Sequence, residues 1–490
     1  MDSFRARLAA ADWGAVAQRQ LASLARQLVP GRPQTHGSSR WAHAREAGRL
    51  GRRSVAGREW GDGIVLGRLG RHLLQTPAED NLLLLGVQRS GKTSSVIVPT
   101  LLCWSGAVVA TSTKEELVRL TARSRRRRGA VHVFAPLDPE SSWITAEGAE
   151  RARWNPLSTA TDVSLAAELA SHFTAAERSR ALDHWHLAAA NLLTALITLE
   201  ASRGGDMRSV LGLLMRLSSP QYAALALGTQ DETVRDLLLA HAQTPEREAA
   251  SIASTARSCL SLWVDSRVAL ATSAGEERLD LDSLLALGGT LYLVAPAEEA
   301  ERCRPLFSAL LHTLLRTATA RARRLGGVLA PRLLVALDEA ANFARVPRLS
   351  GYASSGPGQG IQLLLGFHDL AQIELVYGRE AARTIWNNCR ARLLLPGQGD
   401  LGTLEQFSRS MGEETRVYGS AHRGRGVEQR LGHPLCSVDE LRRMPSAVLI
   451  YAGAPPARLL TRRWDQVPAW REQVERPDPG DGSTSPVEGG

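Results

Sequence analysis

Two parts of the chain show short, unbroken apolar runs alternating with stretches of helical period. In the first part, Leu82–Leu85 is an apolar run and Lys92 to about Cys103 reads as a helix. Ala107–Thr111 is a second run, Lys114–Arg125 a second helix, and Ala130–Ala135 a third run. In the second part the runs are Thr290–Val294, Leu333–Leu337, Ile361–Leu365 and Arg392–Leu395, again with helices between. Continuous apolar strands separated by helices predict an α/β fold with a mainly parallel central sheet covered on both faces. Between "RWNPL" (Arg153–Leu157) and Leu287 the period is helical almost throughout, as in Leu182–Leu199 and "TVRDLLLAHA", which predicts an inserted all-α domain. A hairpin, "AVLIYAG" and "ARLLTRRW" around Pro455 and Pro456, closes the fold.

The expected organisation is therefore a basic N-terminal helix and linker over 1–60, starting with "FRARLAAADWGAVAQRQLASLARQLVP" and becoming Arg/Gly/Ser-rich after Pro30. Regular structure is expected from "GIVLGRLG" (Gly63–Gly70). The first part of a nucleotide-binding domain covers 61–160, the helical insertion 161–287, the second part of the nucleotide-binding domain 288–470, and a disordered Pro/Gly/acid-rich tail 471–490.

Composition changes this picture little. A chain of 490 residues with 44% hydrophobic and 22% charged residues is ordinary for a globular protein, which excludes wholesale disorder and collagen-like repeats. The five scattered cysteines form no C-x-x-C pair, which fits reduced thiols and argues against a disulfide scaffold or a zinc site. The longest uncharged run, Thr93–Thr113, holds Pro99, Gly106 and polar residues at its ends and middle. It reads as helix, turn and strand, not as a membrane span. No secretory signal is expected in residues 1–29, which charges interrupt throughout.

Charge is more informative. The net charge of +9 suggests polyanionic partners. Yet there are 57 arginines and two lysines, Lys92 and Lys114, so arginine number reflects coding bias as much as function. Where lysine persists, a compact ammonium is favoured over a planar fork. Lys114, just after the second run, reads equally as a helix-start residue or as a cation near the nucleotide or at a sheet edge. The dense "RSRRRRG" (Arg123–Gly129) reads as a solvated turn complementing a helix end, with phosphate-backbone contact as the alternative. In "DHWHL" the histidines fall on different helix faces and Trp185 reads as core.

Two motifs carry chemistry. "GVQRSGKT" (Gly86, Val87, Gln88, Arg89, Ser90, Gly91, Lys92, Thr93) matches the phosphate-loop pattern, follows an apolar strand and opens a helix that continues through Ser94. Its glycines let backbone N–H groups turn inward around phosphate oxygens, and the helix start adds its dipole. Lys92 then reaches the β and γ phosphates, and Thr93 ligates Mg2+. The second motif is "RLLVALDEAANF" (Arg332–Phe343), where an apolar strand ends in two acids. An acid at the carboxyl tip of a buried parallel strand faces the ligand crevice. Asp338 is expected to hold Mg2+ and Glu339 to polarise the attacking water. The bland alternative is two acids capping the next helix.

In order, "GIVLGRL", "GVQRSGKT", "STKEEL", "RWNPL", a helical insertion, "LDEAANFARVPRL", "GFHDLAQIELVYG" and "IWNNC" resemble the TraG/TraD class of type IV coupling proteins, from about Gly63 to Trp464. The likeness is greatest to an actinobacterial-looking branch. It implies a RecA-like P-loop ATPase that uses ATP and Mg2+, forms a ring (a hexamer), and delivers DNA with its relaxase to the secretion channel. It also implies a cytoplasmic location at the inner face of the cell membrane, held by the N-terminal segment or by a partner chain, since the family's N-terminal transmembrane hairpin is not seen here. The family motifs map onto Lys92, Thr93, Asp338 and Glu339. His368 stands where the family has a γ-phosphate-sensing glutamine, and Pro357 where it has an arginine reaching the neighbour's nucleotide, with Arg345 or Arg348 as candidate substitutes. Two other functions fit the same motifs: a nucleotide-gated relaxase-recruitment module with weak ATPase activity, and an FtsK-like duplex DNA translocase.

Overall fold

The structure is a computed structural model, and it describes residues 36–54, 62–175, 184–275, 279–343, 346, 348–422 and 425–476. Fifteen strands occur among these residues. β1 (Arg52–Ser54), β2 (Val65–Leu69) and β3 (His72–Gln75) form a small antiparallel sheet in the order β1-β3-β2. The main sheet holds β4 (Leu82–Leu85), β5 (Ala107–Ser112), β6 (Val131–Phe134), β7 (Glu150–Arg151), β8 (Thr290–Val294), β9 (Leu333–Leu337), β10 (Ile361–Phe367), β11 (Ala391–Leu394), β14 (Ala447–Tyr451) and β15 (Ala457–Leu459). Its ten strands run in the order β15-β14-β11-β4-β10-β9-β5-β8-β6-β7.

All pairings from β11 to β7 are parallel, and the two antiparallel pairings of this sheet are those of β14 with β11 and with β15. The physical reason is visible in the side chains. Each residue of β4, β5, β8, β9 and β10 is buried, so both faces of these strands need cover. Helices Val98–Cys103, Glu116–Arg126 and Ala297–Arg324 are among those that supply the crossovers. β4 lies between β11 and β10, with Leu85 opposite Leu394 on one side and Phe367 on the other. The carboxyl tips of these strands therefore form one crest, where parallel α/β sheets place ligands.

The described residues of 163–259 form six helices, the longest of which, His184–Ser202, is exposed or half-buried in its first turn and buried mainly over residues 192–200. Aspartates cap several starts: Asp206 accepts from Ser209 N, and Asp231 from Val234 N. By contact density the sheet and these helices fall in one unit, Trp41–Ser410 with Ser437–Gly490. A second unit comprises Met1–Arg40 and Met411–Cys436. Within it, β12 (Glu413–His422) pairs with β13 (Arg425–Pro434) in an unbroken antiparallel hairpin, and Ser38 bridges to Glu414.

Several sequence expectations need correction. Regular structure begins before Gly63, with a tight helical turn at Ala44–Arg49 and with β1; Ala47 and Leu50 are fully buried. These few apolar residues sit in a polar stretch, so composition hid them. The expected helix over the first 29 residues lies outside the described residues. The hairpin at 413–434 had no prior reading, because its mixed polar sequence lacks an apolar run. The segment expected to be a tail begins as a helix, Pro468–Glu475, whose Trp470 is buried; residues 477–490 are outside the described residues. Trp185 is 37% exposed and is not core.

The basic run is also not a simple solvated turn. Arg125 is fully buried. Its Nε donates to Thr290 Oγ1 at 2.8 Å, its Nη2 to Gly106 O at 2.5 Å, and its Nη1 to Trp104 O. Arg128 Nη2 donates to Leu102 O at 2.8 Å. Burial pushes the Arg125 guanidinium down to about 9. One arginine thus ties the loops entering β5 and β8 together with no carboxylate partner. Replacing Arg125 by Ala strands these buried acceptors and is expected to cost about 3 kcal/mol of stability. Chemical denaturation measures this, and a loss no larger than that of an exposed arginine such as Arg119 would contradict the clamp.

Candidate functional site

The phosphate-loop segment leaves the fully buried β4 and turns back over the crest. Two residues adopt left-handed backbone: Arg89 with φ 65° and Gly91 with φ 95°. Gly86 has no room for a side chain, since a Cβ there would lie 2.5 Å from Ser90 Oγ and 3.0 Å from Leu395 Cβ. The helix then starts with a wide π turn, Thr93–Ile97, before Val98–Cys103. Gln88 and Arg89 are exposed, Val87, Ser90, Thr93 and Ser94 half-buried, and Lys92 buried. The Ser90 hydroxyl oxygen is itself buried and has no hydrogen-bond partner.

Lys92 Nζ donates to Gly86 O at 2.5 Å and to Val87 O at 3.3 Å, and lies 3.3 Å from His368 Nδ1. Burial lowers its ammonium from the ordinary value, against the pull of Asp338 and Glu339.

The acidic motif arrives from two strands away. Asp338 follows β9, which is separated from β4 by β10. Its carboxylate crosses above β10 at Gly366, where a Cβ would sit 3.1 Å from Leu337 O and 3.5 Å from Asp338 Oδ1. Thr93 Oγ1 donates to Asp338 Oδ2 at 2.5 Å, joining residues 245 apart in sequence. Thr111 Oγ1, on β5, donates to the Asp338 carbonyl at 2.9 Å and braces the strand tip from the other side. Asp338 Oδ1 is buried and unpartnered. Burial raises the Asp338 carboxyl above its ordinary value, opposed by the Thr93 hydroxyl and the Lys92 ammonium and reinforced by Glu339. Glu339 is half-buried and left-handed, φ 50°, so the chain turns sharply at the acid pair.

Not all expected residues gather here. Lys114 is exposed at the tip of β5, three strands from β4. There it lines a separate cavity of about 700 Å³ with Leu120, Trp143, Arg267 and Glu299. It is neither at the phosphate loop nor at a sheet edge. Pro357 opens a short turn, Pro357–Gln359, at the amino end of β10, the opposite end from His368. Arg348 is exposed and precedes helix Leu349–Ser355; Arg345 lies outside the described residues. Sequence reasoning missed Thr111, Gly366 and Gln398. The last bonds to the backbone of His368, with Nε2 donating to His368 O at 2.7 Å. Its signal was available as "PGQGD" directly after an apolar strand.

An amide-lined loop, a buried cation, a hydroxyl and a carboxylate with a free oxygen form a site for a polyphosphate and a divalent ion. No group of three or more His, Cys, Asp or Glu residues able to hold a metal occurs among the described residues. Fold and site together define a P-loop nucleoside-triphosphatase fold of the RecA-like class. The comparisons go further. The model of a family described as type IV secretory system conjugative DNA transfer matches residues 52–466, and the chain belongs to that family, the coupling proteins of conjugation. It is 26% identical over 468 residues to the conjugal transfer protein TraG of Escherichia coli, covering 84% of this chain and 71% of the relative. A shorter match, 38% over 110 residues, is to protein VirD4 of Agrobacterium fabrum, covering 21% of this chain and 16% of that one. Among solved structures, the conjugative coupling protein TrwBdeltaN70 in its unbound form superposes with a TM-score of 0.66 at 17% identity, over 89% of this chain and 95% of that one. TrwB in complex with the ATP analogue ADPNP gives a TM-score of 0.65 at 18% identity, over 89% and 96%. These two likenesses are of fold.

Because the folded-state value of Asp338 is raised, its proton stabilises the fold at low pH, and that contribution is lost as pH rises through the raised value. Asp338→Asn removes the buried charge. It is expected to stabilise the nucleotide-free protein by about 1 kcal/mol near neutrality, and the gap to wild type should narrow toward acid pH. Thermal melting at several pH values reads this; a variant less stable than wild type at neutral pH would refute it.

Proposed function

We propose that this coupling protein hydrolyses ATP, with Mg2+, to deliver DNA and its attached relaxase to the channel of a type IV secretion system. The observation that carries the reading is the Thr93–Asp338 contact, which brings the phosphate loop and the acidic strand tip to one ion-sized site. The orphaned Asp338 Oδ1, the unpartnered Ser90 hydroxyl and the glycine-lined loop fit a triphosphate with its metal. TrwB structures with ADPNP and with ADP and Mg2+ support the same choice of ligand.

In this reading the bound Mg2+ neutralises charge on the terminal phosphates. Backbone N–H groups of Gly86–Thr93 cradle the phosphates, and the Lys92 ammonium, with three donors, exchanges the Gly86 and Val87 carbonyls for the β and γ oxygens while keeping His368 Nδ1 as an acceptor. Thr93 and Asp338 would hold the metal, and Ser94 would extend the cradle at the helix start. Glu339 orients the attacking water and accepts its proton, and His368 offers a ring nitrogen to the terminal phosphate. The all-helical stretch 161–287 is proposed as the part that meets cargo, and a ring, a hexamer in the simplest form, as the assembly. The proposed place is the inner face of the cell membrane. Attachment is proposed through residues 1–60 or through a partner chain; among the described residues no helix is long and apolar enough to cross a membrane.

A slower, nucleotide-gated recruitment module remains a second reading, favoured by Pro357 where the family carries a cation. Family membership weighs against the FtsK-like alternative.

The test is ATP turnover with and without DNA. Lys92→Ala is expected to abolish turnover and weaken nucleotide binding. Glu339→Gln should retain binding while slowing turnover at least ~100-fold. DNA stimulation should fall steeply between two salt concentrations, as phosphate contacts require. Unchanged turnover in Lys92→Ala would defeat the motor reading. Tight binding with background turnover, restored by Pro357→Arg, would favour the recruitment module.

A further inference from the structure

β4 is flanked by β11 and β10, so the loops leaving those two strands bracket the phosphate loop on either side. One side chain bridges them. Gln398, 3% exposed, lies just beyond β11, after Gly397 with φ 89°. Its Oε1 accepts from Gly399 N at 2.9 Å and Asp400 N at 3.0 Å, and its Nε2 donates to His368 O at 2.7 Å. The carboxamide can face only one way. Flipped, its NH2 would meet two N–H donors and its oxygen a carbonyl. On the preceding peptide, His368 N donates to Gln372 Oε1 at 2.9 Å. The bracket is tied a second time: Leu370 N donates to Thr403 Oγ1 at 2.9 Å, and Thr403 N to Asp400 Oδ2 at 2.7 Å. Both peptide groups of His368 are therefore held, and only its side-chain torsions remain.

The held ring has a defined job. Its Nδ1 lies 3.3 Å from Lys92 Nζ, and an ammonium only donates, so Nδ1 must accept. In the neutral imidazole the proton then sits on Nε2. Nε2–H is a hydrogen-bond donor, the capability a triphosphate-sensing side chain needs and the one a glutamine at this position would supply through its amide.

We propose that Gln398 is a positioning residue for the nucleotide site: by clamping the His368 carbonyl it keeps Nδ1 on Lys92 and so presents the Nε2–H tautomer as the donor that distinguishes a triphosphate from a diphosphate. This rests on the ATP-site reading above, but the ring tautomer is measurable without nucleotide. Gln398→Glu keeps the acceptor for Gly399 and Asp400 and removes the donor to His368; Gln398→Leu removes both.

The experiment compares wild type, both variants and His368→Asn in the full chain. Nitrogen-15 NMR of histidine-labelled, nucleotide-free protein at about pH 8, above the ordinary imidazole range, reads the tautomer, with the His368 signal assigned by its loss in His368→Asn. Affinities for ADP and a non-hydrolysable ATP analogue, kcat and KM are measured alongside melting temperature. Wild type is expected to show Nε2-protonated His368, and Gln398→Glu a mixed tautomer. The variant should lose about tenfold in preference for the triphosphate analogue over ADP and about tenfold in kcat, one hydrogen bond's worth, with KM for ATP within about threefold. An unchanged tautomer and unchanged triphosphate preference in Gln398→Glu would overturn the proposal. So would a parallel loss of ADP affinity, analogue affinity and melting temperature, which marks a staple only. A wild type that binds nucleotide without hydrolysing it would defeat the motor reading, while the tautomer and the binding ratio would still decide the role of Gln398.

Discussion

The site depends on a carboxylate crossing a strand. β9 and β4 are not neighbours, and the strand between them passes the crossing point at Gly366, where a Cβ would crowd Leu337 O at 3.1 Å and touch Asp338 Oδ1 at 3.5 Å. Gly366 leaves that space open, Thr111 fixes the Asp338 peptide from β5, and the carboxylate reaches the Thr93 hydroxyl. Everything the nucleotide reading asks of the fold follows from this crossing. The parallel register sets the strand tips level, the fully buried strands leave them no freedom to slide, and a one-residue slip would turn Asp338 to the other face. The cost is a carboxylate held in a dry place with one oxygen unpaired. Such strain at a ligand site is tolerable because the surrounding sheet is stiff and the ligand supplies the missing partners.

Arginine does structural work in this chain that a count of charges conceals. The run Arg123–Arg128 looks like a nucleic-acid patch, yet Arg125 is interior and bonded to the loops before β5 and β8, and Arg128 reaches the carbonyl of Leu102. A planar fork with five donors can satisfy several carbonyls at once, which an ammonium does less well. The two lysines are then informative by contrast. Lys92 sits where a single rotating ammonium can exchange loop carbonyls for phosphate oxygens. Lys114 stands at another strand tip, beside a cavity with an apolar floor and a rim of mixed charge, away from the phosphate loop.

Gln398 extends the constraint from strands to loops. The phosphate loop is bounded on both sides by segments that are themselves joined, and hydrogen bonds through Thr403 and Asp400 link the segment after His368 to the start of helix Leu401–Met411. Packed elements shift as bodies and not by gradual deformation, so a doubly tied bracket of this kind holds the His368 backbone as part of one rigid body.

Much of this was readable along the chain. Apolar runs of four to seven residues announced the strands of the parallel sheet, since a strand buried on both faces cannot alternate. "GVQRSGKT" and "LDEAANF" announced their chemistry because glycine, lysine and paired acids at those spacings serve few other purposes. What lacked a local signature stayed hidden: β1, the hairpin at 413–434 and helix Pro468–Glu475 are segments without an unbroken apolar run or a clear apolar period, the hairpin being held by strands that pair with each other. Trp185 was misread because helical period gives a face but not what covers it. Strand order was also beyond reach, and with it the facts that β10 separates the two motifs, that Gly366 opens the passage, that Arg125 faces inward and that Gln398 spans the phosphate loop. Local pattern reports the preferences of neighbours in sequence, whereas these contacts join residues tens to hundreds of positions apart, and only the packed sheet brings them within bonding distance.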